Sequence, residues 1–317
     1  MGEGGAGSWY VSREEVERGS PSRRDGFSAT KEAELRATYC SFIRDVGLRL
    51  HLPQVTIATA MVLCHRFYLR QSHAKNEWQT VATVCVFLAS KIEDTPCSLQ
   101  RVVIVAYETM YRKDCNAAHR IYQKEVLEKQ KELILVGETL LLSTIRFDFN
   151  IQHPYEPLKL ALKNLGIFQM ELKQVAVNLI NDVLWTTLVV QFKPHYIAAG
   201  SLYLAAKFNN VRLPSENGKI KVWWHVFDVA PKQLQANDRA IYGKKPMLHG
   251  SCDQATANSN TDGETADNQA TANSNSDGES ADNQANTNSN SDGESADNKL
   301  FGRYYDAYTL FKKKSKQ

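Results

Sequence analysis

The hydrophobic pattern of the chain centres on one segment that is apolar on every side. Val81 to Ala89 is apolar or small almost without interruption, and the charged residues Lys91, Glu93 and Asp94 follow it at once. A helix that is apolar all round is a buried helix. The pattern therefore predicts a central helix that ends in a charged rim facing water.

The same pattern returns 116 residues later in the chain. The string Phe87-Leu88-Ala89-Ser90-Lys91 aligns with Tyr203-Leu204-Ala205-Ala206-Lys207. A repeated buried helix needs its own set of surrounding helices. Two central helices therefore predict two similar domains.

Apolar residues recur at spacings of three and four along both halves, which is typical of amphipathic helices. The capping box of Ser12 and Glu15 predicts a short first helix, and we predict loops at Ser22 to Gly26 and Tyr111 to Arg120. The longer predicted helices begin at Thr30, Pro53 and Val81 and then span Leu99 to Met110, Ile121 to Ile145, Pro154 to Asn164, Phe168 to Val190, Pro194 to Phe208 and Val222 to Val229. No alternating strand pattern competes, so we expect an all-α fold of two five-helix domains in tandem.

Charge divides the chain into three unlike pieces. Residues 1–250 hold 32 Lys and Arg against 24 Asp and Glu, residues 251–298 hold ten acids and no base, and residues 299–317 hold six bases and one acid. Residues 253–298 also lack aromatic, Val, Ile, Leu and Met residues and repeat with a period of 15. Such a segment cannot bury enough apolar surface to offset chain entropy, so we predict a disordered acidic linker.

These patterns predict five parts in the chain. Because His153-Pro154 disfavours helix, the boundary between the two domains is placed at Asn150 to Pro154. The parts are an N-terminal extension with a short helix at 1–29, a first domain at 30–149, a second at 150–240, the acidic linker with its repeat at 241–298 and a basic, aromatic C-terminus at 299–317.

The search for catalytic, cofactor or metal chemistry fails. Gly2 to Gly7 has the spacing of a dinucleotide-binding loop but lacks the preceding strand that such a loop needs. Cys115 and His119 have helical spacing without two further ligands, and His65 fits a hydrogen-bonded core histidine. The six cysteines form no CxxC pair and suit a reducing compartment. With no leader and no apolar run of about 20 residues, we expect a soluble intracellular protein without cofactor or metal, and these residues give no support for an enzyme.

Two charges lie where helices ought to be apolar. Glu138 interrupts the apolar run Leu133 to Leu142, where a carboxylate is costly to bury unless it is paired, and Lys91 ends the central helix. One interpretation is an internal Lys-Glu bridge, which periodicity alone favours. The other is a partner surface with a donor and an acceptor beside exposed apolar side chains. Those apolar side chains would be Phe87, Ile134 and Phe147.

Several strings in this order resemble the cyclin family, and within it the plant cyclin T subfamily. They are Trp9 to Glu15, Ser20 to Arg24, His65 to Tyr68, Phe87 to Asp94 and His153 to Tyr155. The resemblance covers residues 9 to about 235 and agrees with the two helical domains, which it identifies as cyclin boxes.

The resemblance implies a nuclear regulatory subunit that binds a cyclin-dependent kinase of the transcription-elongation type. Such a subunit holds the kinase in its active arrangement, so that the complex phosphorylates the C-terminal repeats of RNA polymerase II. It implies no small-molecule substrate, no membrane and no direct nucleic-acid contact. By alignment, Lys91 and Glu138 contact the kinase, surrounded by Phe87, Asp94, Ile134 and Phe147.

The sequence departs from the family after Trp223 to Gln235, where Ala236 to Arg239 and Gly243 to Pro246 cut the expected closing helix short. The second box is therefore expected to pack loosely, with the acidic repeat in place of family sequence. Two alternatives stay open: a DNA-binding two-box core of the general-transcription-factor kind, and a helical scaffold that activates no kinase. Dispersed charge and the lack of a zinc ribbon argue against the first.

Overall fold

The computed structural model describes residues 9–214 and 223–229, and the regular elements in these ranges are all helical. The α-helices are α1 (Arg13–Arg18), α2 (Pro21–Arg24), α3 (Ala29–Arg49), α4 (Gln54–Tyr68), α5 (Trp78–Ile92), α6 (Leu99–Met110), α7 (Ala117–Ile121), α8 (Lys124–Thr144), α9 (Tyr155–Asn164), α10 (Met170–Val183) and α11 (Pro194–Phe208). Two 3-10 helices span Thr187–Val190 and Trp223–Phe227. The all-α prediction is confirmed for these ranges. The glycine string, the shortened closing helix, the acidic repeat and the basic end lie outside the described residues.

Helix α5 is the centre of the first core, as predicted. Its residues from Val81 to Ser90 are all buried, and α3, α4, α6 and α8 pack around it. Large side chains that are fully buried in this cluster include Tyr39, Met61, Phe67 and Leu141. A helix enclosed on all sides needs no polar face, which explains the uninterrupted apolar run.

A second cluster of buried side chains lies among α9, α10, α11 and the last 3-10 helix. Helix α11 is the most enclosed of these, and Ile197 to Leu202 are all buried. Leu184, which follows α10, packs in the first cluster instead. The division of the chain at residues 149 and 150 stays a prediction.

Two predicted loops contain helices. Pro21–Arg24 is helical because Ser20 caps it and Pro21 occupies its first position, where a missing N–H costs nothing. Ala117–Ile121 is helical because it buries Ala117 and Ile121. The loop prediction for Ser22 to Gly26 is therefore wrong in its first half, and that for Tyr111 to Arg120 is wrong at its end.

Several helix boundaries also differ from the prediction, since α5 begins at Trp78 and not at Val81, and α8 begins at Lys124 and not at Ile121. Helix α3 begins at Ala29, because the Ser28 hydroxyl accepts a hydrogen bond from the Lys31 N–H. Thr30 is therefore not its cap. The predicted helix from Phe168 to Val190 is broken after Val183, where the Leu184 carbonyl accepts a hydrogen bond from His65 Nε2 at 2.8 Å. The Leu184 carbonyl thus bonds to His65 of α4 and not to a backbone N–H of a continued helix.

His65 is a hydrogen-bonded core histidine, as predicted. Its Nε2 donates to the Leu184 carbonyl, so its Nδ1 accepts from the Tyr39 hydroxyl at 2.7 Å. Burial lowers the pKa of His65 to about 3. The ring is therefore neutral near pH 7, and it links α3 and α4 to the chain beyond α10.

The N-terminal extension is fastened to both halves. The Trp9 indole N–H donates to Asp148 Oδ2 at 2.9 Å, and the Val11 N–H donates to the Val190 carbonyl at 2.9 Å. The guanidinium of Arg66 lies 5.1 Å from the centroid of the Trp9 ring. Helix α1 then follows with the predicted capping box of Ser12 and Glu15.

Candidate functional site

Lys91 and Glu138, 47 residues apart in sequence, meet at the surface. Lys91 Nζ lies 2.7 and 2.9 Å from the two carboxylate oxygens of Glu138 and 3.9 Å from the centroid of the Phe87 ring. The side chain of Lys91 is 45% exposed and that of Glu138 is 13% exposed. Because water reaches the lysine, the ion pair contributes about 1 kcal/mol or less to folding. A partner that gives the nearly buried Glu138 carboxylate new hydrogen bonds could therefore open the pair.

The structure tests one of the two sequence interpretations of this pair, the Lys-Glu bridge, and the partner surface stays a prediction. The bridge between Lys91 and Glu138 exists, and it stands at the surface and not in the core. The expected exposure of the neighbouring apolar residues is wrong for Phe87 and Ile134, whose exposures are 6% and 3%. Ile134 lies on the side of α8 that faces α5 and α6. Helix α8 is apolar around its whole circumference here, so its sequence could not show which side is buried.

Phe147 is exposed as expected, and two further exposed apolar residues, Phe149 beside it and Leu135 on α8, were not predicted. Phe147 is 65% exposed and meets Phe149, itself 42% exposed, edge to face with ring centroids 6.5 Å apart. On α8, Leu135 is 48% exposed and lies one turn before Glu138 on the same face. The sequence did hold a sign of the exposed Leu135, because the apolar run Leu133 to Leu142 in α8 is longer than one buried helix face requires.

A second apolar face of α8 lines a shallow cavity of about 290 Å³. Leu133, Val136 and Leu140 form one wall of it, and Val81 and Val84 of α5 form the other. Gly137 lets the two helices approach closely. A Cβ atom at this glycine would lie 2.8 Å from Val84 Cγ2.

The helices α5 and α8 both end in a strained turn. After α5 the Thr95 N–H donates to the Ser90 carbonyl at 2.9 Å, and Asp94 between them has φ 49°. After α8 the Phe147 N–H donates to the Leu142 carbonyl at 3.0 Å, and both Arg146 and Phe147 have positive φ. Glycine is usual in this turn because a side chain is unfavourable there. Here Asp94 takes the glycine position after α5 and Arg146 takes it after α8, with Phe147 next in the chain, and all three are exposed.

Of the predicted contact residues, the structure brings Lys91, Glu138 and Phe87 together. Asp94 and Phe147 are exposed in the separate turns that follow α5 and α8. Within the described ranges, no group of three or more His, Cys, Asp and Glu side chains is placed to hold a metal ion. None of the described helices is both long enough and apolar enough to cross a membrane.

Comparison with known proteins points to one family. The model of the cyclin N-terminal domain matches residues 8–150. The chain is 90% identical over 236 residues to Cyclin-T1-1 of Oryza sativa subsp. japonica, an alignment that covers 74% of this chain and 52% of the rice protein. It is 50% identical over 227 residues to Cyclin-T1-3 of Arabidopsis thaliana, covering 72% of this chain and 70% of that protein.

A solved structure shares the fold. A chain in the crystal structure of the yeast RNA Pol II CTD kinase CTDK-1 complex matches with a TM-score of 0.62 at 19% identity. The match covers 74% of this chain and 72% of that one. The present chain spans only about half the length, or less, of the curated rice relatives it matches.

Proposed function

Because the chain belongs to the cyclin T family, we propose that it binds and activates a cyclin-dependent kinase of the transcription-elongation type. The complex would phosphorylate the C-terminal repeats of RNA polymerase II. Cyclins are regulatory subunits of kinases and not enzymes, as the sequence resemblance implied. We propose a nuclear location, since the polymerase substrate is nuclear.

The observation that carries this proposal is the accessible ion pair between Lys91 and Glu138. Its two members can separate and cap the backbone of a docked kinase helix, the ammonium donating to carbonyls and the carboxylate accepting from N–H groups. Asp94 adds a second exposed carboxylate three residues beyond Lys91, and Phe147 offers an exposed ring. Apolar neighbours would keep water from the polar contacts.

Activation requires a preference for one state of the kinase. A regulatory subunit shifts the kinase equilibrium only by the difference in its affinity for the active and inactive forms. Lys91, Glu138, Asp94 and Phe147 would supply that difference by contacting the kinase's mobile regulatory helix in its active position. Phe87 and Ile134 are buried, so they would not contact the kinase directly. They would support the residues that do, by packing beneath them.

We also propose that the second core is a second cyclin box, followed by a disordered acidic tail. In support, α11 ends as α5 does: Lys207 Nζ lies 4.5 Å from the centroid of the Tyr203 ring, as Lys91 lies over Phe87. The turn after α11 has Asn210 at φ 52° where the turn after α5 has Asp94. The end of α11 thus resembles the end of α5 but has Asn210 in place of the Asp94 carboxylate. We therefore assign the kinase contact to the first box.

The test is reconstitution with a purified elongation-type kinase subunit. We expect co-elution on size exclusion and faster phosphorylation of a peptide carrying the polymerase repeats. Absence of a complex between the intact chain and the kinase would refute the proposal.

The same experiment separates the alternatives. A complex that forms without any rise in kinase activity would identify a non-activating scaffold. Binding to duplex DNA that weakens steeply with salt would favour the DNA-binding core instead. Identification of the bound kinase after a pull-down from nuclear extract tests both the partner and the location.

A further inference from the structure

Helix α4 reaches both strained turns that carry the exposed contact residues. The turn after α5, residues 93–95, contains Asp94, and the turn after α8, residues 146–150, contains Phe147. Thr56, Thr59 and Arg66 extend from α4 toward these two turns, and all three are buried. The hydrogen bonds of these three side chains fix the two turns to α4.

Thr59 is the middle of a directed chain of hydrogen bonds. Its hydroxyl donates to Glu93 Oε1 at 2.6 Å, so its oxygen must accept from His153 Nε2, which lies 2.7 Å away. His153 belongs to the segment that joins the two halves of the chain. The chain of bonds therefore ties that segment, α4 and the end of α5 together. His153 Nδ1 is buried without a hydrogen-bond partner, so the ring is held from Nε2.

A second hydroxyl pair holds the other side of the same turn. Thr56 Oγ1 lies 3.1 Å from Thr95 Oγ1. The residues before and after Asp94 are thus both fixed to α4, while Asp94 itself stays exposed in a backbone conformation that is unfavourable for a residue with a side chain. Such a conformation persists only where its surroundings enforce it.

Arg66 holds the turn after α8 in the same manner. One terminal nitrogen donates to the Asp148 carbonyl at 3.3 Å and the other to the Asn150 carbonyl at 3.0 Å. Trp9 covers the guanidinium and donates to the Asp148 carboxylate. Phe147, directly before Asp148, keeps a positive φ and an exposed ring.

We propose that Thr59 and Arg66 are positioning residues for the kinase contact, which hold Asp94 and Phe147 in the conformations that the kinase recognises. The inference rests on the proposed function. Neither residue touches the kinase in this scheme. Each residue makes its turn rigid in the free chain. Binding of the kinase then loses no conformational entropy by ordering that turn.

The principal test is Thr59→Val, which keeps the shape of the side chain and removes the hydroxyl. We expect the dissociation constant for a purified elongation-type kinase subunit to rise about tenfold, as for loss of one buried hydrogen bond to a charged group. Thr59→Ser restores the hydroxyl and should restore the affinity. Thr83→Val is the matched control, because the buried Thr83 hydroxyl donates only to the Gln79 carbonyl within α5.

A double-mutant cycle distinguishes a positioning role from a general structural role, because it measures whether Thr59 and Asp94 affect kinase affinity through each other. Asp94→Asn tolerates the same backbone conformation and removes the charge. If Thr59 acts through Asp94, Thr59→Val loses most of its effect on the dissociation constant in the Asp94→Asn background. An undiminished effect in that background would overturn the proposal, as would an unchanged affinity of Thr59→Val alone.

Hydrogen exchange of the free chain tests the same point without a kinase. The Thr95 amide, bonded to the Ser90 carbonyl, should exchange about tenfold faster in Thr59→Val than in Thr83→Val. Equal exchange rates would overturn the positioning role even if the kinase binds. Failure of the unaltered chain to bind the kinase would instead overturn the proposed function and leave the exchange result to decide the role of Thr59.

Arg66→Lys extends the test to the second turn. Lysine keeps the charge but cannot donate to two carbonyls at once. We expect Arg66→Lys to weaken kinase binding in the otherwise unaltered chain. In the Phe147→Ala background, Arg66→Lys should cause little further loss of affinity. Full additivity of the two changes would overturn this half of the proposal, and Thr59→Val still decides the first half if Arg66→Lys does not fold.

Discussion

At the level of single residues, the ion pair of Lys91 and Glu138 is suited to binding more than to folding. An exposed lysine that lies on the Phe87 ring and on a carboxylate is already oriented, yet water screens its charge. Removing it should therefore affect the partner more than the free chain. The second half offers Lys207 on Tyr203 as a natural comparison.

Lys91→Ala should weaken kinase binding by about 1 to 3 kcal/mol and lower the free energy of unfolding by less than about 1 kcal/mol. The binding loss arises because a charge-assisted hydrogen bond is absent from a desolvated interface. Calorimetric titration and urea unfolding measure the two quantities. Lys207→Ala is the matched control and should leave kinase affinity unchanged. Equal losses of affinity in the two variants would contradict the placement of the interface.

At the level of elements, α8 has three roles. Ile134 and Leu141 are buried in the first core, Glu138 and Leu135 face the proposed partner, and Leu133 and Val136 line the shallow cavity beside α5. Gly137 makes this arrangement possible because it allows α8 to lie against Val84. The spacing between α5 and α8 also sets the distance between Lys91 and Glu138.

Gly137→Ala should destabilise the chain by about 1 kcal/mol, although alanine is the better helix former. The added methyl group would lie 2.8 Å from Val84 Cγ2, and Val84 is itself only 1% exposed and cannot move aside freely. Urea unfolding gives the change in free energy. Val84→Ala should make room for the methyl group, so the double variant should lose less than the sum of the single losses. Strict additivity would contradict this explanation.

At the level of the whole molecule, buried neutral histidines join the elements. Burial lowers the pKa of His65 to about 3 and those of His73 and His153 to about 4. In the unfolded chain a histidine has a pKa of about 6.5. Between these values the unfolded chain binds more protons than the folded one, so stability rises with pH. The stabilisation is fully present above pH 6.5 and is lost as the pH falls toward 4.

The free energy of unfolding should therefore be nearly constant above pH 7 and should fall below pH 6.5. His65 alone should contribute a slope that approaches about 1.4 kcal/mol per pH unit. Desolvation by its neighbours raises the pKa of Asp182 to about 6, which opposes this trend, but water still reaches the residue and so its effect is smaller than that of His65. Urea unfolding between pH 5 and 8 measures the slope.

A matched pair of variants assigns that slope. His65→Gln should reduce it, whereas His119→Gln, at an exposed position on α7, should leave it unchanged. An equal slope in both variants would show that the pH dependence comes from other groups.

Most of the helices could be predicted from local patterns in the sequence. Periodic apolar residues, the capping box and the uninterrupted run of α5 depend on neighbours a few positions away, so the sequence could predict them. Leu99–Met110 was predicted to the residue. Part of the candidate site was predictable too, because Lys91 and Glu138 are charges in apolar surroundings and break a local pattern.

Tertiary structure alone decided which side chains of the site are accessible and how they are held. Phe87 and Ile134 are buried by packing against other helices, and no periodicity in an all-apolar helix can show this. The bonds of Thr59 and Arg66 to His153 and Asp148 span more than 80 residues. Such contacts exist only once the chain is folded, and they hold the strained turns at Asp94 and Phe147 in place.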